Sequence, residues 1–235
     1  MNDPDPQTES AILDRLGPPP RDATPAQITL SQREYALLPA ALHHIWRVYG
    51  FITLAEGRLH LVDPARFAPL MSYIFEGDPD LDGNVQAIAY GSLGELVLWS
   101  GRHGYGFLSP ALSTLEMPNL TGDSIAPPEA QFVDQVLHMP PELIDAYDPA
   151  REPVHDRLVA KLGPLPYGAI YGTTPVPPPL EGTPVEHYVV AEVRDWLEAV
   201  YAEIAVSLVD WARTPSQLRQ IGEPWPAGLK GKSGK

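Results

Sequence analysis

Residues 51 to 110 set short apolar runs between glycine-bearing turns, which restricts the segment to an antiparallel sheet with helices packed on it. Ile52 and Leu54 alternate, Glu56-Gly57 turns the chain, and Leu59 and Leu61 alternate on the return, so a β-hairpin is predicted. Asp63-Pro64 then supplies an N-cap and a first-turn proline for a helix whose face is Phe67, Leu70, Met71, Ile74 and Phe75. An acidic turn, Asp78 to Asn84, leads into two strands, VQAIAYG and ELVLWS, separated by the glycines at 91 and 94. The segment 104–110 adds a further edge strand.

Before this unit, Leu38, Leu42, Ile45, Trp46 and Tyr49 fall at helical spacing, and Gly50 stands where a C-cap belongs. A helix is predicted around 31–49, with its main body starting near Pro39. Residues 1–30 carry Pro18, Pro19, Pro20 and Pro25 and read as a short helical turn followed by an extended arm. After a polar, proline-bearing connection at 114–128, the pattern reads as mostly helical. Short helices are predicted at 129–137, after Pro140-Pro141, and at 154–162. A loop with six prolines between Pro164 and Pro179 precedes a last helix over about 185–212. Val189, Val193, Trp196, Leu197, Val200, Ile204, Leu208 and Trp211 would form its apolar side. The expected class is α+β: an N-terminal antiparallel-sheet unit with flanking helices (α-ββ-α-ββ), followed by a mainly helical C-terminal part. The segmentation reads as an arm at 1–30, an α+β domain at 31–116, a helical domain at 117–213 and a tail at 214–235.

Hydrophobic residues make up 44% of the 235 positions and charged residues 20%, so the chain has enough apolar surface to bury a core. Acidic residues outnumber basic ones 30 to 16, a formal charge of −14. Such a surface repels a phosphate backbone, which argues against nucleic acid as a direct partner and favours a basic protein instead. With no cysteine, disulfides, thiolate nucleophiles and cysteine-based zinc sites are excluded. The N-terminus lacks the basic and apolar regions of a signal peptide, and no apolar run reaches membrane-spanning length; a cytoplasmic location without membrane attachment is expected.

No motif for catalysis or for a cofactor stands out. Asp78, Asp80, Asp82 and Gly83 match the first half of a calcium-binding loop, but the twelfth position is Ala89 instead of a bidentate glutamate. The run reads better as an acidic helix-to-strand turn, and no metal is expected. The Gly-Lys-Ser at 231–233 has Pro226 where a phosphate-binding loop needs its first glycine. Gly91-Ser92-Leu93-Gly94 has the wrong spacing for a nucleophile elbow. None of the seven histidines is paired at the spacing of a helical zinc site. Trp46, Trp196 and Trp211 lie on apolar helical faces and read as core, whereas Trp99 and Trp225 are the better candidates for a partner surface.

Two stretches, LLPAALHHIWRVYGFITLAEGRLHLVDPARFAPLM and AIAYGSLGELVLWSGRHG, resemble bacterial proteins that join a GAD-like domain to a DUF1851 domain. The shared order is Leu-Pro, a helical Trp, a Gly, a hairpin closing on Asp-Pro, then a Tyr-Gly…Trp strand pair. A third stretch, KLGPLPYGAIYGTTPVPPPLEG at 161–182, is similar to the family's Leu-Gly-Pro-Leu…Tyr-Gly…Pro segment. The resemblance covers about 30–205, makes 31–116 GAD-like and 117–213 DUF1851-like, and departs from the family where Pro177, Pro178 and Pro179 replace an apolar run.

Members of that family include immunity proteins of type VI secretion DNase effectors. The resemblance therefore implies a stoichiometric inhibitor of a cognate effector toxin, with no catalysis and no cofactor. A DNase needs a basic active face, and a chain of charge −14 is complementary to it. The candidate contacts are Asp78, Asp80 and Asp82 in the acidic turn, Trp99, and an acidic helix face of Glu192, Asp195, Glu198 and Glu203. The alternative is a ligand-binding or regulatory module without a toxin partner. An enzyme of unrecognised type is a third reading, which no residue pattern supports.

Overall fold

The computed structural model describes residues 3–121, 127–178 and 182–226. The arm begins with helix α1 (Pro6–Leu16), capped by the Asp5 carboxylate, which accepts from the N–H groups of Gln7 and Thr8. Ile12 on this helix is fully buried, so the arm contributes to the core. The predicted helix at 31–49 is two helices, α2 (Gln32–Tyr35) and α3 (Ala40–Val48), parted by Pro39. A Ser31–Glu34 capping box starts α2. The Glu129 carboxylate, from a distant segment, accepts from Ala40 N (2.7 Å) and Ala41 N (2.9 Å) to start α3.

The hairpin is strands β1 (Thr53–Leu54) and β2 (Leu59–Leu61). Asp63 caps a short 3-10 turn that runs into α4 (Ala68–Ile74). Strands β3 (Val85–Gly91), β4 (Leu96–Ser100) and β5 (Gly104–Ser109) follow in antiparallel register, and β6 (Thr114–Glu116) extends the sheet. Beyond α5 (Pro118–Thr121), α6 (Pro128–Phe132) passes into a π-helical turn at Val133–Leu137. Helix α7 (His155–Leu162) precedes a hairpin of β7 (Ala169–Thr173) and β8 (Tyr188–Glu192). Helix α8 (Val193–Tyr201) follows directly, and β9 (Ser207–Val209) and β10 (Gln217–Gln220) close the chain.

The main sheet has eight strands in the order β1-β2-β3-β4-β5-β6-β9-β10. It is mixed, because β9 joins β6 in parallel. This corrects the expectation of a mainly helical C-terminal part: of the ten strands among the described residues, four lie beyond residue 168, and two of those belong to the main sheet. The correction is sharpest at 185–212, where a single long helix was expected. Val189 and Val190, a β-branched pair, sit in β8 with exposed side chains, and Leu208 belongs to β9. The helix between them starts where the Glu192 carboxylate accepts from Arg194 N and Asp195 N. At 141–144 the predicted helix is a single 3-10 turn.

The sheet is sandwiched. Leu96, Leu98, Leu108 and Leu115 pack on one face under Phe67, Met71, Trp196 and Val200 of the α4 and α8 layer. Val97 and Trp99 point to the other face, under Ile12, Ile45, Trp46 and Phe132 of the α1, α3 and α6 layer. That is why every residue of β4 is buried. The smaller sheet docks on the β3–β4 turn, where Tyr171 N donates to Ser92 O (2.8 Å) and Gly168 N donates to the Tyr90 hydroxyl (2.7 Å).

Candidate partner interface

The helical layer over Val97 and Trp99 stops short of β6. There the outward side chains of β5 and β6 (Tyr105, Phe107, Thr114 and Glu116) floor a groove walled by Met139, Leu143 and Trp211. This compartment holds about 440 Å³. Through Phe107, Ser109, Leu112 and Leu143 it continues into a second one of about 360 Å³, which reaches Glu95, Asp145 and Tyr188. Asp145 and Tyr147 are shared with a third of about 280 Å³ at Arg58 and Asp156.

Large apolar side chains stand in solvent along this groove: Leu143 is 67% exposed, Trp211 56%, Leu112 54% and Tyr147 49%. Single exposed apolar residues are ordinary, but four lining one continuous depression make it the candidate binding surface of the molecule. Acidic groups border the same groove, with Glu95, Glu116, Glu142, Asp145 and Asp148 against Arg58 and Arg151. Burial raises the Glu116 carboxyl, and a hydrogen bond from Trp211 partly offsets it. Asp145 is committed to structure: its Oδ1 accepts from His155 N (3.0 Å) at the start of α7 and its Oδ2 meets Arg58 Nη2 (3.3 Å).

Glu95 differs from its neighbours. It directly precedes β4 after the tight Gly91–Gly94 turn, in a pocket lined by Asp145 and Tyr188, with Tyr201 nearby. Its Oε2 lies against Gly91, where a Cβ would stand only 2.2 Å away, and it has no hydrogen-bond partner. Burial pushes this carboxyl up to about 7, although hydrogen bonds from the backbone N–H groups of Glu95 and Leu93 act against the rise. The hydroxyl of Tyr201 is likewise buried without a partner, and burial raises it well above the usual phenol range.

The residues expected to contact a partner lie elsewhere. Asp78 is buried: its carboxylate meets the Arg219 guanidinium, and both side chains are fully enclosed. Asp80 accepts from the Trp225 indole N–H (2.7 Å) and from Arg219 (3.3 Å). Asp82 is exposed and accepts from Gly77 N (3.1 Å). Trp99 is buried, and its indole N–H donates to Leu37 O (3.2 Å), so it offers no surface to a partner. Glu192 caps α8, Asp195 and Glu198 are exposed on it, and Glu203 lies beyond its end. None of these eight residues lines the groove.

The tryptophan assignment is reversed in part. Trp211, expected in the core, is the exposed one, because it follows a strand instead of sitting on a helix. Trp225 is half-buried under the Arg219 guanidinium, 5.0 Å from its ring centre. The sequence carried one usable sign of the groove: an acidic residue opening the otherwise apolar run ELVLWS.

A second depression, about 450 Å³, lies between α2 and α3. Its polar groups are engaged within the fold, since Glu129 caps α3 and the His43 ring stacks on Tyr35 at 3.8 Å. Among the described residues no group of three or more acidic or histidine side chains is placed to hold a metal ion, including the acidic turn. No helix of the described residues is long and apolar enough to cross a membrane.

Comparison with known proteins identifies the N-terminal region. Residues 8–108 match the GAD-like domain, so that domain is present in the chain. The fold is shared with a solved bacterial structure, Atu4351 from Agrobacterium tumefaciens, at a TM-score of 0.79 and 19% sequence identity. The superposition covers 92% of this chain and 99% of that one. No curated protein matches the chain in sequence.

Proposed function

We propose that this chain is an immunity protein. It binds a cognate effector toxin, a DNase delivered by type VI secretion, and neutralises it as a stoichiometric complex without turnover. The observation that carries this reading is the groove: contiguous exposed apolar side chains bordered by acidic groups, on a chain of charge −14. Apolar anchors such as Trp211 and Leu143 would supply most of the binding energy, and the acidic border would select a basic partner and speed encounter. The GAD-like domain and the resemblance of 117–213 to a DUF1851 domain support the same reading. Inhibition needs only occupancy of the toxin, so no catalytic residue is assigned, and the producing cell's cytoplasm is the compartment in which the complex would form.

The experiment is co-expression with the product of the adjacent gene. The expected result is a one-to-one complex that survives gel filtration and relief of that protein's toxicity. A neighbour that neither binds nor is toxic overturns the reading. A ligand-binding or regulatory module is the second reading, favoured by the compartment beside Glu95.

A further inference from the structure

Glu95 sets an unusual condition on whatever fills the groove. The carboxyl lines the middle compartment and is almost wholly buried; it accepts from the backbone N–H groups of Glu95 and Leu93, but Oε2 has no hydrogen-bond partner. A buried carboxylate in that state is costly unless a donor reaches it. The fold leaves room for the group itself, because Gly91 has no Cβ to displace Oε2. The surroundings do not neutralise it. Asp145 stands near with the same charge and is held by Arg58, Asp148 is paired with Arg157 (2.7 Å), and of the two nearby phenols Tyr188 is bonded to Thr183. Arg151 borders the compartment but forms no ion pair there among the described residues.

We infer that this compartment is a recognition pocket for a single cationic side chain, arginine or lysine, of the bound partner, with Glu95 as its charge-pairing base and Tyr147 and Tyr188 as its walls. The aliphatic stem of such a side chain matches the apolar approach over Phe107, Leu112 and Leu143, and its head supplies the donor that Oε2 lacks. The inference rests on the inhibitor reading only in naming a toxin as the owner of that side chain. The pocket itself is a property of this chain alone.

Because burial holds the free carboxyl near neutral pH, a cation that binds it must displace a proton. Occupancy is therefore tighter above pH 7 than below it. Asp145, Asp148, Arg151, Tyr188 and Tyr201 are the other titratable or charged groups around it, and burial moves both phenols further above neutral pH.

The test has two arms. In the first, the isolated protein is labelled with 13C at glutamate and the Glu95 Cδ is titrated in butylguanidinium, butylammonium or sodium chloride at equal ionic strength. The organic cations are expected to lower the midpoint relative to sodium, and the more effective of the two identifies the head group. An equal midpoint in all three salts overturns the pocket. In the second arm, Glu95→Gln is compared with wild type for binding the adjacent-gene product. The expected loss is about tenfold or more, with the pH dependence flattened. Undiminished binding by Glu95→Gln overturns insertion of a toxin cation. If the first arm succeeds and no neighbour binds, the inhibitor reading fails and the pocket stands as a site for a small cation.

Discussion

Arg219 and Asp78 form an enclosed ion pair that ties the last strand to the turn after α4. Arg219 Nη2 lies 3.0 Å from Asp78 Oδ1, Nη1 bonds the second carboxylate oxygen, and neither side chain touches solvent. The Asp78 carboxylate also accepts from the N–H groups of Asp80, Leu81 and Gly222. An acidic turn that reads as a partner contact is thus an internal clasp. Removing one member leaves a buried charge without its partner, which costs about 3–5 kcal/mol. Asp78→Ala and Arg219→Ala should each lower the midpoint of chemical denaturation strongly, whereas Asp82→Ala should leave it nearly unchanged. Urea titrations of the three variants check this.

The same clasp sets the acid limit of the fold. Burial raises the Asp78 carboxyl, but hydrogen bonds from Arg219, Gly222 and Asp80 outweigh it and hold the group below its ordinary value. A carboxylate depressed in the folded state stabilises the protein above its unfolded pKa, and that contribution is lost as pH falls through the folded one. Stability followed by circular dichroism should therefore drop below about pH 4, near the ordinary value of an aspartate. Asp78→Asn should show a smaller drop than wild type, although it starts from a lower stability.

Glu95 and His60 act in opposite directions across the weakly acidic range. The folded Glu95 carboxyl is raised from 4.5 to about 7, so its contribution favours folding at low pH and fades as pH rises through that window. Burial, then the His155 charge, lowers the His60 ring from 6.5 to about 4, so His60 favours folding above 6.5 and opposes it on acidification. Each amounts to at most about 3 kcal/mol, and between about pH 4.5 and 6.5 they offset one another. Together these two groups should therefore add little slope to the stability there. Glu95→Gln should expose the His60 slope, with stability rising toward neutral pH. A slope unchanged from wild type would contradict the burial of Glu95.

Trp196 is wedged against two glycine backbones. A Cβ at Gly94 would lie 2.4 Å from its ring, and one at Gly172 would lie 2.7 Å from it. Gly94 also has a φ of 97°, which side-chain-bearing residues rarely adopt. Gly94→Ala should destabilise by about 1–3 kcal/mol through overpacking and backbone strain. Thermal denaturation reads the loss, and Trp196→Leu in the same background should recover part of it.

Much of the first half was legible because its signals are local. Asp63-Pro64 starts a helical segment where it says it should, the β1–β2 hairpin turns at Glu56-Gly57, and the alternation in ELVLWS builds a strand. The second half is ambiguous in sequence because its apolar spacing satisfies two periods at once. Val189, Val193 and Val200 fit a helical stripe, yet the first lies in a strand. Pairing of β9 with β6, over ninety residues away in sequence, decides that region, and no local pattern encodes it. The groove was invisible for a related reason. Leu112, Leu143 and Trp211 are isolated apolar residues in loops and turns, and only the sheet brings them together. Trp99 shows the converse: the end of a predicted strand proved to be central, roofed by α3 and α6.

The most direct test of the account is inhibition of the adjacent-gene nuclease by a groove variant and by a control on the opposite side of the sheet. Trp211→Ala with Leu143→Ala removes two exposed anchors without touching the core, while Asp195→Ala with Glu198→Ala alters α8. Both folds should be retained in thermal melts. The account predicts that the groove variant loses about a hundredfold or more in inhibitory potency and the α8 variant less than about threefold. Equal inhibition by wild type and the groove variant would contradict the assignment of this surface to the partner.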